Sequence, residues 1–62
     1  MKTGDKFKIL KPIELSEGRF ENAGEVGECK ITWISGDLIE YKSKHGTFFT
    51  TKSNLKSKSI EL

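Results

Sequence analysis

The sequence predicts a single small all-β domain of five short antiparallel strands, with a one-turn helix before the last strand. Three observations predict it. Apolar and polar residues alternate over several short runs, turn residues punctuate those runs, and no stretch keeps a 3.6-residue period long enough for a substantial helix. At 62 residues the chain has room for one core and no second. A domain this small barely offsets its ordering entropy by burial, so nearly every large apolar side chain is needed inside.

The first run, "KFKILK", alternates Lys6, Phe7, Lys8 and Ile9, and Pro12 then stops the strand. Asp5 after Gly4 reads as a turn residue ahead of it. "PIELSEGRF" carries Ile13, Leu15 and Phe20 around Glu17-Gly18 and reads as a long hairpin-like loop. "EVGECKITWI" alternates again, placing Cys29, Ile31 and Trp33 on one side and Glu28, Lys30 and Thr32 on the other. "SGD" is a turn, "LIEYKSK" and "TFFTTK" are strands flanking His45-Gly46, and Ser53 in "SNLK" caps a single helical turn. "KSIEL" closes the chain as a last strand. The expected strands are therefore near 5–11, 26–34, 38–44, 47–52 and 58–61, with Phe7, Ile9, Ile31, Trp33, Ile39, Tyr41, Phe48 and Leu55 buried.

Five short strands, a long first loop and a helical turn before the last strand resemble the small SH3-like barrel. "NAGEVGECKITWISGDLIEY" resembles the glycine-containing hairpin of KOW and Tudor-type modules, in which a Gly-x-x-Gly segment enters a strand that a tight turn returns. The resemblance covers most of the chain and implies a fold and a habit of binding nucleic acid or peptides.

Composition narrows the function further. The lone cysteine, Cys29, has no partner for an intramolecular disulfide and reads as a small core residue. "MKTGDKF" has no apolar signal region, and no apolar run is long enough to span a membrane, so the expectation is a cytoplasmic protein without a membrane partner. No Ser/His/Asp set, paired carboxylate site or phosphate-cradling loop can be assembled from the spacing. The reading is non-catalytic, with no cofactor, metal or small-molecule substrate expected, and His45 is a turn residue rather than a base.

Net charge is only +2, but it is unevenly spread. Residues 14–28 hold five glutamates against Arg19 alone, whereas residues 41–58 hold five lysines and no acid. Such asymmetry makes a dipolar surface with one basic side. Ten of the eleven basic residues are lysines, hydrated point charges that suit phosphate or carboxylate attraction better than reading of base edges.

Register decides where the adjacent Phe48 and Phe49 point. A type I′ turn at His45-Gly46 pairs Ser43 with Phe48, Lys42 with Phe49 and Tyr41 with Thr50. A three-residue "SGD" loop pairs Ile31 with Tyr41 and Lys30 with Lys42, which keeps the apolar residues on one side. Phe48 then faces the core, and the outer face carries a row reading Lys30, Lys42, Phe49. Two facing lysines are mildly destabilising, a strain that a negatively charged partner relieves, and Phe49 offers a stacking platform. The bland alternative is that lysine stems, or the 13–20 loop, simply cover Phe49.

The leading expectation is thus a small barrel that contacts nucleic acid non-specifically through Lys30, Lys42, Lys44 and Phe49, helped by Lys52, Lys56 and Lys58. The alternative is a protein-interaction module or inhibitor that docks through an acidic loop of Glu14, Glu17 and Glu21, or through a barrel edge. By analogy, a short lysine-rich barrel suits an accessory protein of a bacterium or bacteriophage. One outcome tests the parity of the Phe pair: Phe48→Ala costs about 2–5 kcal/mol, whereas Phe49→Ala changes stability by less than about 1 kcal/mol, as urea denaturation reads directly.

Overall fold

The computed structural model describes residues 1–32 and 36–62, so the expected burial of Trp33 lies outside the described residues. Alternation drives the strands as the sequence indicates: β1 (Lys6–Ile9), β4 (Val26–Ile31), β5 (Leu38–Ser43), β6 (Gly46–Thr51) and β7 (Ser59–Glu61). They form one antiparallel sheet in the order β6-β5-β4-β1-β7. Between β1 and β4, the expected long hairpin-like loop is a two-stranded hairpin of β2 (Ile13–Glu14) and β3 (Phe20–Glu21). A 3₁₀ turn at Ser16–Gly18 joins its strands, with Glu17 at a left-handed φ of 61°.

The core lies on the inner face of the sheet. Phe7, Ile9, Cys29, Ile39, Tyr41 and Phe48 come from the main strands, and Leu55 comes from the helix. Ile13 and Leu15 of the hairpin segment complete it, although they were absent from the expected core. Ile31 was expected inside and is only partly buried against this cluster, because it sits at the end of β4. Cys29 behaves as the small core residue its isolation suggests. Its Sγ donates to the Lys2 carbonyl at 3.1 Å, and burial first, then the Asp5 charge, pushes its thiol up from the ordinary pKa.

Both hairpin registers differ from the sequence-based ones by two residues. The β5–β6 turn is Lys44-His45, with Ser43 opposite Gly46, Lys42 opposite Thr47, Tyr41 opposite Phe48 and Glu40 opposite Phe49. A type I′ turn needs positive φ at both central residues. Neither Lys44 nor His45 has it, and the left-handed φ of 127° falls instead on Gly46, the residue that tolerates it. Moving a turn by one residue moves each pair by two, so every side chain keeps its face. Phe48 is accordingly 8% exposed and Phe49 37%.

The β4–β5 pairing is likewise Glu28 with Lys42, Cys29 with Tyr41, Lys30 with Glu40 and Ile31 with Ile39. The expected Lys30–Lys42–Phe49 row therefore does not exist. Opposite charges facing across strands are favourable where two lysines are not, so the alternative register wins without disturbing the apolar face.

The helix α1 (Lys52–Lys58) is longer than one turn, and its cap is Thr51 rather than Ser53. Thr51 Oγ1 accepts from the Asn54 N–H at 3.1 Å, and Lys56 and Lys58 in the last turn complement the helix dipole. At the β6 edge, the Phe49 N–H donates to Ser16 Oγ and Thr50 Oγ1 donates to the Glu14 carbonyl, both at 3.0 Å. The 13–20 segment thus holds the β6 edge while leaving the Phe49 ring outside.

Gly27 is a point of close approach in the core. It faces inward on β4 opposite Phe7, and a Cβ there would overlap the Tyr41 ring. Gly27→Ala must displace a fully buried ring, and we expect a loss of about 1–3 kcal/mol in urea denaturation, with a lowered melting temperature.

Candidate functional site

The outer face of the five-stranded sheet is a surface that its strands present together. Parity and register give its rows. Across four strands, Thr47, Lys42, Glu28 and Lys6 stand side by side, and the Leu62 N–H donates to the Lys6 carbonyl to extend the line. The next row reads Val26, Lys8, Ile60. Val26, Ile60 and Leu62 are all exposed, which makes an apolar group interleaved with Lys6 and Lys8. A shallow depression of about 290 Å³ opens among Lys6, Val26, Glu28 and Lys42.

The candidate basic residues are not brought together. Lys30 and Lys42 face outward but lie in separate rows, each beside a glutamate, and Phe49 neighbours Glu40. Lys44 sits in the β5–β6 turn, where its Nζ lies 3.5 Å from Glu25. Lys52, Lys56 and Lys58 belong to α1, which begins only after β6 has run its length; six strand residues put it roughly 20 Å from Lys44.

The acidic loop divides in the same way. Glu14 and Glu17 are exposed, whereas Glu21 is 2% exposed. The hairpin explains this inversion. Ile13 must enter the core, Glu21 is its direct partner on the same side, and Phe20 is turned out to 62% exposure. Burying Ile13 and Leu15 decides the parity, and Glu21 follows.

That parity assembles a cluster which sequence spacing did not reveal. Ligand atoms of Glu21, Glu25 and His45 lie within 4.8 Å of one another, with His45 Nε2 3.7 Å from Glu25 Oε2. Next to them is the Tyr41 hydroxyl. Neither it nor Glu21 Oε2, both buried, has a hydrogen-bond partner among the described residues. The contact between phenol and carboxylate falls short of hydrogen-bond geometry, yet it is felt. Burial first, then Glu21, then Glu25, holds the Tyr41 phenol above its ordinary pKa. A cleft of about 190 Å³ reaches the cluster, with Arg19, Glu21, His45 and Phe48 in its lining and the Arg19 guanidinium 5.6 Å over the Phe48 ring.

Only the fold places these residues together, since His45 is twenty positions from Glu25 and no ligand spacing links them. Lys6 and Lys8 were legible as outward-facing by alternation, but their apolar companions Val26 and Ile60 emerge only from register. No known protein family, curated protein or solved structure matches this chain.

Tyr41→Phe tests the environment of the phenol. Removing a buried hydroxyl that has no partner leaves none stranded, so stability in urea should stay unchanged or rise by up to about 1 kcal/mol. A loss well beyond that size would mean the hydroxyl is satisfied.

Proposed function

We propose that this chain is a non-catalytic binding module of the SH3-like barrel class that docks on a partner protein through the outer face of β4, β1 and β7. The sheet order β6-β5-β4-β1-β7, the long excursion after β1 and the helix before β7 support the barrel reading. The observation that carries the function is the exposed group Val26, Ile60 and Leu62 set among Lys6, Lys8 and Lys42. Exposed apolar side chains grouped within a polar frame mark protein contacts. Lysines in that frame select a partner whose own apolar patch is bordered by carboxylates.

Nucleic acid fits this face less well. A phosphate backbone gains from lysines only where acids do not interrupt them, and here Glu28 stands between Lys6 and Lys42 while Glu40 faces Lys30. Nor does the face gather the helix lysines into one track.

The test uses two charge substitutions that leave the core untouched, Ile60→Asp and Lys8→Glu. Each should remain folded by circular dichroism and weaken binding to the protein captured by wild type at least about tenfold, roughly 1.4 kcal/mol, while Phe49→Ala binds normally. A parallel fluorescence titration with single- and double-stranded nucleic acid at two salt concentrations should show no specific complex. Binding that falls steeply with salt and is lost in Lys30→Ala or Lys42→Ala would replace this proposal with the nucleic-acid reading.

A further inference from the structure

The cluster at the β5–β6 turn is separate from the docking face and has the makings of a site of its own. Its three side chains come from three places: Glu21 on β3, Glu25 just before β4, and His45 in the turn after β5. Two ligands each about 2.1 Å from one ion stand about 3.4 Å apart at tetrahedral angles and never more than about 4.2 Å apart. The 3.7 Å between His45 Nε2 and Glu25 Oε2 already falls in that interval. The full set, within 4.8 Å, needs only a small closure, which an exposed imidazole on a turn can supply.

Burial gives an independent reason to look for a cation. A carboxylate withdrawn from water is costly unless charges or hydrogen bonds replace the solvent. Glu21 is almost wholly buried with Oε2 unpartnered, and the fully buried Tyr41 hydroxyl beside it is unpartnered too. Gly27 lets the Tyr41 ring lie close over β4. The phenol held there does not hydrogen-bond Glu21, so Oε2 is left open to a cation.

We infer that Glu21, Glu25 and His45 form a binding site for a divalent first-row transition ion such as Zn²⁺. One imidazole nitrogen with two carboxylates matches that class better than Ca²⁺, which takes six to eight oxygens. The cleft beside Glu21 and His45 provides access and room for water as a further ligand. Lys44, 3.5 Å from the same Glu25 oxygen, is the competing cation and is displaced when the ion binds. The bound ion ties the β2–β3 hairpin to the β5–β6 turn, which stabilises a domain with a small core.

The experiment uses the full chain without an affinity tag. Zn²⁺ at about a hundred times its Kd should raise the melting temperature by about 20 °C, and equal Mg²⁺ should not. Co²⁺ should give visible d–d absorption without a cobalt–thiolate band. His45→Ala changes an exposed turn residue and should fold normally, yet lose both the Zn²⁺ shift and the Co²⁺ spectrum; Glu25→Gln should do the same. Glu21→Gln adds a third loss if it folds, and His45→Ala decides the matter if it does not. The inference is overturned by no Zn²⁺ shift in wild type, by an equal shift with Mg²⁺, by an undiminished shift in His45→Ala, or by a thiolate band that places the ion on Cys29.

Discussion

The contact between the Tyr41 ring and the bare Cα of Gly27 governs much of this domain. Tyr41 is fully buried, lies opposite Cys29 on one side and Phe48 on the other, and reaches over β4 only because Gly27 has no side chain. Burying this ring fixes the parity of two hairpins at once. A shift of one residue in either would send Tyr41 to water and bring a lysine or glutamate inside, a cost a small core cannot absorb.

What happens on the other face is a consequence of those registers. Once Cys29 meets Tyr41, Glu28 must face Lys42 and Lys30 must face Glu40. The inner face selects the parity, while charge pairing favours this register over the neighbouring one of the same parity. The outer face is left with mixed signs in its middle and with exposed Ile60 and Leu62 toward β7, the arrangement on which the proposed protein docking rests.

The hydroxyl end of Tyr41 connects the core to the titratable cluster. The ring belongs to the apolar interior, but its oxygen lies beside Glu21 and Glu25, the least typical interior group and its half-buried neighbour. Glu21 is inside because it is the direct cross-strand partner of the buried Ile13 and shares its face. The packing that supplies core area therefore also places a carboxylate where water is scarce and a histidine is near.

The amino-acid sequence alone determined the strands and their faces. Period-two alternation is local, so Phe7, Ile9, Ile39, Tyr41, Phe48 and Leu55 were legible as core, and Phe49 as outward, even with both hairpin registers off by two residues. Which residues lie side by side was not legible. The Lys30–Lys42–Phe49 row, the common patch of Lys44 with Lys52, Lys56 and Lys58, and the uniform acidic loop of Glu14, Glu17 and Glu21 each required pairings between segments. Tertiary structure decided those, and with them the Val26, Ile60 and Leu62 group and the convergence of Glu21, Glu25 and His45. The physical reason is that parity is written in each strand, whereas register is settled by competition among whole-sheet packings, to which the Tyr41 ring over Gly27 and the facing of unlike rather than like charges contribute.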